Sequence, residues 1–312
     1  VEKHAYDSSK MKRFFLGMNG TDGLLLKIVI YALLISIGFV FLYPLLYMIA
    51  TSFKSLDDLL NSMVNWIPSQ LYTENYTRAL EVLHYGPVLL QTLLVTVLPS
   101  IIQTMMAAVV GYGFARFKFW GRNVLLLLVL ATFVIPPQVM VIPRYILFNN
   151  LNILDSISAY LYPAFFGQGI NSAIFILIFY QTFRQIPDAL EEAAQLDGAG
   201  HLKIFYKIAI PMASAAFIIS FLFSLVWYWN ETYLASIYFG ESLTTLPLQL
   251  QKFTATYQTM FPAQAGGESG TNINEGIELA GTLLTILPLL LIYFIAQRWF
   301  VESIDRSGIT GE

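Results

Sequence analysis

Glu191 and Glu192 are neighbouring carboxylates, a residue type able to serve as general acid and general base. Consecutive side chains on a helix point about 100° apart, so these two do not share a site and carry no acid–base chemistry together. The three histidines, His4, His84 and His201, are too far apart in sequence for the short ligand spacings of metal sites. Cysteine is absent, which excludes disulfides, iron–sulfur clusters and thiolate-bound zinc. A phosphate-binding G-x-x-x-x-G-K-[ST] run is absent as well, so if the protein uses ATP another chain must hydrolyse it. No catalytic and no metal-ligating residue is therefore assigned.

The elements that carry these residues are dictated by apolarity. The 312 residues are 56% hydrophobic and 12% charged, with a mean hydropathy of +0.63; soluble domains carry roughly 25% charged residues. Lipid must solvate part of such a surface. The formal charge of -3 is too small to indicate nucleic acid. Crossing about 30 Å of hydrocarbon takes about 20 helical residues. Six or so segments qualify: Leu24 to Thr51, Val88 to Phe114, Val124 to Ile142, Ile157 to Phe183, Ile204 to Tyr228 and Leu279 to Trp299. The expected fold is an all-α membrane protein of about six transmembrane helices.

Orientation follows from the cations, which are retained on the cytoplasmic side. With the N-terminus inside, Lys3, Lys10, Lys12, Arg13, Lys27, Arg116, Lys118, Arg122, Arg184, Lys203, Lys207, Arg298 and Arg306 are cytoplasmic. Lys54, Arg78, Arg144 and Lys252 fall outside. Both termini are then cytoplasmic, with an N-terminal segment 1–23, a first helix and external loop over 24–87, a core over 88–299 and a tail over 300–312. The first span is too long for a signal peptide and stays as an anchor. The external segments Ser52 to Pro87 and Trp229 to Glu278 show no periodicity, the second with a glycine-rich run at Ala265 to Gly270. Such loops are functional or disordered; the second could cap a cavity, touch an external partner or be a tolerated insertion. Prolines at 99, 136, 137, 163, 211 and 288 can kink the spans.

Between the fourth and fifth spans, Pro187 to Gly200 predicts a short cytoplasmic helix. Asp188 with Glu191 three residues on resembles a capping box, and Gly198 supplies the stop. His201 to Met212 resumes as a helix and leads into the fifth span, so a helix–turn–helix suited to a groove on a soluble partner protrudes into the cytoplasm.

Glu192-Ala193-Ala194, three residues, Gly198, nine residues, then Ile208-Ala209-Ile210-Pro211 resembles the E-A-A-x3-G-x9-I-x-L-P loop (187–211) of ABC importer permeases, with Ile210 in place of Leu. Gly111 to Arg122 is similar to the A-Y-A-F-A-R-F-x-F-x-G-R segment of sugar-importer permeases, with glycine at 111 and 113 in place of alanine. Ile135-Pro136, Ile142-Pro143 and Leu151 to Ser156 resemble their I-P…I-P…L-G-L-x-D-[ST] series, with Asn152 in place of glycine, and Trp229-Asn230-Glu231 matches their W-N-E. The resemblance is to the carbohydrate-uptake, MalG-like, binding-protein-dependent branch.

That resemblance implies a type I importer permease in the bacterial cytoplasmic membrane, paired with a second permease subunit. It further implies two ATPase subunits, which hold the ATP and magnesium, and an extracytoplasmic solute-binding protein delivering a sugar or oligosaccharide. No cofactor is expected on this chain. Coupling to the ATPase is assigned to Glu192, Ala193, Ala194, Asp197 and Gly198, with Leu190 and Leu196 as apolar contacts. Candidates along the sugar path are Gln103, Gln168, Asn171, Trp227, Trp229 and Asn230, since aromatic faces and amides suit sugars. An interfacial belt explains the aromatics better than a sugar path does, and helix–helix bonding explains the amides at least as well. A permease for a non-sugar solute is the alternative. An ion-coupled transporter fits less well, because acidic residues are scarce inside the spans.

Overall fold

A computed structural model of the chain describes residues 23–262 and 273–308, and all regular elements among them are helices. The expected segment 1–23, apart from its last residue, the run Ala265 to Gly270 and the end of the 300–312 tail lie outside the described residues. Two compact units are present, one within residues 1–77 and 268–283, the other within 78–267 and 284–312.

Helix α1 (Leu24–Ser52) is 29 residues long, about 1.5 Å per residue and so ample for a bilayer. Its apolar side chains are exposed on all sides, with Ile35 71% and Phe41 79% accessible. A helix apolar all round needs an apolar solvent. After it the chain is ordered by buried polar groups: Asn75 Nδ2 donates to the carbonyls of Ser52 and Lys54, both at 2.9 Å. Lys54 Nζ donates to Asn65 O at 2.8 Å. The 52–87 segment is therefore folded, around α2 (Leu56–Leu60) and α3 (Glu74–Val82).

In the larger unit α4 (Tyr85–Arg116) is the centre, packed chiefly on α8 (Ser172–Gln185) and α11 (Ser214–Asn230). Thr92, Thr96, Ser100 and Thr104 recur every fourth residue along its buried face, each hydroxyl donating to the carbonyl one turn back at 2.6–2.8 Å. Satisfying the hydroxyls internally leaves a stripe of small, inert surface on which helices approach closely. At Gly111 the approach is closest, because a Cβ there would sit 2.6 Å from Phe179 Cβ and 2.9 Å from Tyr180 N.

The expected third span is bent by 102° between α5 (Arg122–Val134) and α6 (Pro137–Asn150). Consecutive prolines force this: a residue before proline avoids the helical region, and Ile135 and Pro136 are both extended, with ψ of 121° and 131°. The expected fourth span, Ile157 to Phe183, is interrupted between α7 (Ser158–Phe165) and α8. Gly167 (φ +70°) and Asn171 (φ 52°) take left-handed conformations there and stop the helix. The fifth is bent by 76° between α10 (His201–Met212) and α11. Among the described residues three helices, α1, α4 and the Glu275–Trp299 part of α15 (Glu275–Gly308), are long and apolar enough to cross a membrane unbroken, or up to five spans if each bent pair counts as one.

The segment after α11, expected to be external, is helical as well: α12 (Tyr233–Phe239), α13 (Leu246–Gln251) and α14 (Phe253–Met260). Helices this short display no periodicity in sequence, yet Tyr238, Phe239 and Leu248 join Val95, Phe148, Tyr160 and Tyr228 in one core. A second core, of Tyr112, Phe179, Phe183, Phe205 and Ala209, lies between α4, α8 and α10.

Candidate functional site

The predicted helical hairpin is present as α9 (Asp188–Leu196), a turn at Gly198 and α10. Its turn is a Schellman motif, with Ala199 N donating to Ala194 O at 2.9 Å and Gly198 N to Gln195 O at 3.0 Å. Gly198 has φ +79° with open space where a Cβ would be, so conformation alone selects glycine there. At the other end the expected capping box is not formed. The N-cap is Pro187, without a side-chain cap, and Asp188 is already inside the helix.

Asp188 and Glu191 turn instead to Arg116, the last residue of α4. Arg116 Nη1 pairs with Asp188 Oδ1, Nη2 donates to Ile186 O at 2.6 Å, and Nε lies 2.8 Å from Glu191 Oε1. Arg116 and Glu191 side chains are only 9% and 12% exposed. Burial pushes the Glu191 carboxyl above its ordinary range, Arg116 and His201 pull it back, and Asp188 raises it further. Below, Tyr112 packs against Phe183 (5.3 Å) and Phe205 (4.8 Å), and Phe117 meets His201 (5.3 Å), seating the hairpin on the core. A single π-helical turn over Phe205–Ala209 precedes Pro211. The outward face stays uncovered: Glu192, Ala193, Asp197 and Gly198 are exposed, Ala194 is half-buried, and Leu190 and Leu196 are 44% and 90% accessible.

The irregular segments of the larger unit meet at a cleft of about 210 Å³, lined among others by Ile135, Arg144, Gln168, Asn171, Ser172 and Glu231. A small cavity of about 20 Å³ beside it, sharing Arg144, Gln168 and Leu234, is lined by Tyr160, Tyr228 and Tyr238. Of the six sugar-path candidates, Gln168 and Asn171 line this cleft. Gln103 lies just beneath it, both amide atoms engaged: Nε2 donates to Ile170 O (2.8 Å) and Oε1 accepts from Tyr228 (2.9 Å). Trp227 packs at 5.1 Å against Phe175 with the rings tilted by 46°, Trp229 is buried, and exposed Asn230 donates to Val226 O at 2.8 Å.

Residues 103–306, spanning the hairpin, the cleft and the last helix, match the family described as binding-protein-dependent transport system inner membrane component. The chain belongs to this family. It is 29% identical over 271 residues to the probable ABC transporter permease protein YurM of Bacillus subtilis, covering 86% of this chain and 84% of that one. It is 27% identical over 290 residues to the polygalacturonan/rhamnogalacturonan transport system permease protein YtcP of the same organism, covering 92% and 99%. A crystal structure of a bacterial ABC transporter involved in the import of the acidic polysaccharide alginate has a chain of the same fold. The TM-score is 0.70 at 22% identity, over 88% of this chain and 96% of that one. The protein is thus a non-catalytic, multi-pass permease of the inner membrane, working in a complex with a binding protein and an ATPase.

Departures of this permease from the motifs become intelligible in three dimensions. Glycine at 111 is demanded by the contact with Phe179, whereas Gly113 has nothing within 4 Å. Asn152 has φ 52°, and asparagine tolerates the left-handed region in which the motif's glycine would sit. The residues not anticipated from sequence are Arg116 as the clamp of the hairpin, and Arg144 and Glu231 in the cleft. Arg116 lay inside a quoted motif, but its partners are 72 and 75 positions away, a pairing that local spacing does not reveal.

Proposed function

We propose that this permease passes a sugar or oligosaccharide from an extracytoplasmic solute-binding protein into the cytoplasm, coupled through its α9–α10 hairpin to a separate ATPase. The observation that carries the coupling is the hairpin itself, clamped to α4 by Arg116 and seated on the core, with an uncovered apolar face at Leu190 and Leu196. Glu192, Ala193, Ala194, Asp197 and Gly198 form the rest of the docking surface. Small alanines let the partner's groove approach, and Gly198 ends the helix at the required length.

Two ATPase subunits hold ATP and magnesium, and a second permease subunit completes the pathway across the membrane, both termini of this chain being cytoplasmic. The importing core occupies 88–299. When ATP closes the ATPase pair, the hairpin moves with it, and the permeases rock between inward- and outward-facing states. The sugar assignment is supported by relatives and a structural neighbour that serve polysaccharide uptake, and by Gln168 and Asn171 at the cleft.

Purification of the tagged chain from its native membrane in mild detergent tests this. Recovery of an ATPase and a second permease, with binding-protein-dependent uptake of an oligosaccharide after reconstitution, is the expected result. A chain recovered alone even after cross-linking, or a reconstituted complex that moves only non-sugar solutes, overturns it.

A further inference from the structure

Several polar groups in and beside the cleft have no partner among the described residues. Arg144 lines both the cleft and the small cavity beside it, yet no carboxylate among the described residues comes within ion-pair distance of the guanidinium. Ser172 Oγ, Tyr160 Oη and Tyr238 Oη have no hydrogen-bond partner, although the three residues are only 4%, 4% and 2% exposed. Buried polar groups are as a rule bonded, so these hydroxyls, one at the cleft and two at the small cavity beside it, give the wall next to Arg144 a polar character. Irregular backbone at membrane depth is tolerated where it lines a cavity, and here the bend at Ile135–Pro136 and the break at Gly167–Asn171 do so together.

Charge decides the ligand's chemistry. The 14-residue helix α8 begins at Ser172 and opens on the cleft with the positive end of its dipole, equivalent to about half a charge. Arg144 adds a full positive charge and a planar fork that matches a carboxylate. Glu231 opposes them, but its Oε1 already accepts from Leu234 N at 2.9 Å, leaving the other oxygen for a hydroxyl donor. A carboxylate gives the Arg144 guanidinium a directly bound counter-charge, which a neutral sugar does not.

We infer that the cleft is a transit subsite for a saccharide bearing a carboxylate, the anionic group on Arg144 and the N-terminus of α8, the ring hydroxyls toward Glu231. This rests on the sugar-importer reading above and narrows it to acidic sugars.

The test uses the full-length chain in lipid nanodiscs, with saturation-transfer NMR titrations of methyl α-D-galactosiduronate and methyl α-D-galactoside. The uronide is expected to bind at least tenfold more tightly, which is about 1.4 kcal/mol. Arg144→Gln abolishes the difference and Arg144→Lys keeps part of it, in preparations matched by melting temperature. Equal affinities, a preference that survives Arg144→Gln, or no binding of either glycoside overturns the inference. Binding-protein-dependent uptake of a neutral oligosaccharide by the reconstituted complex separates the two readings: if it persists, only the acidic subsite fails.

Discussion

Nε of Arg116 lies 2.8 Å from Oε1 of Glu191, joining the end of α4 to the first turn of α9. This contact ties the α9–α10 hairpin to the central helix of the permease.

Arg116→Gln removes the cation and leaves two carboxylates facing each other. Loss of one partner from a largely buried pair costs about 1–3 kcal/mol. The chain is expected to insert normally while uptake falls several-fold. Faster hydrogen exchange in α9 than in α8 checks that the loss is confined to the hairpin.

The same substitution changes the pH response. Glu191 has its carboxyl raised, so the docked hairpin holds this proton more tightly than an undocked one. Its contribution to docking is therefore greatest below the ordinary carboxylate range and declines as pH rises through the docked pKa. With Arg116 gone, burial and Asp188 act with less opposition and the midpoint moves further up. Carboxyl NMR of Glu191 in both proteins measures it; a midpoint that stays or falls contradicts the assignment.

Gly198→Ala and Gly198→Asn separate conformation from space. No atom crowds the position, so the cost is that of a side chain at φ +79°, about 1 kcal/mol for alanine and less for asparagine. ATP-driven uptake should fall in the order glycine, asparagine, alanine. Equal loss for both variants would mean that the partner's groove itself excludes a side chain.

Gly111→Ala and Gly113→Ala make a second pair. At 111 the new methyl would overlap Phe179 and the backbone of Tyr180, whereas at 113 it meets nothing. The first should destabilise by about 1–3 kcal/mol through overpacking. The second should be neutral or gain up to about 1 kcal/mol in helix propensity. Melting temperatures in one detergent decide between them.

Gln103→Ala should lower thermal stability, because Ile170 O and Tyr228 lose their shared partner beneath the cleft. Uptake should drop with it, while the ranking of competing sugars stays the same. A changed ranking would place Gln103 in contact with substrate.

The sequence alone determined that the chain lies in a membrane, that a hairpin follows Gln185, and that Gly198 ends its first helix. Each signal is local: a run of apolar residues, helix formers beside a glycine, prolines in succession. The resemblance of Glu192 to Pro211 to one loop family had the same origin. Tertiary structure decided the rest. Asp188 and Glu191 looked like a cap but are taken by Arg116, because a nearby guanidinium competes more strongly for a carboxylate than a backbone amide does. The external 233–260 stretch looked featureless because three short helices have too few turns for a pattern, and packing on the core organises them. That both amide atoms of Gln103 are engaged, by Ile170 and Tyr228, shows only in the packing. Arg144, beyond the bend at Pro136, and Glu231, at the end of α11, share the cleft although they lie on different helices. Contacts of this kind join residues scores of positions apart, and only the packing of the helices brings them together.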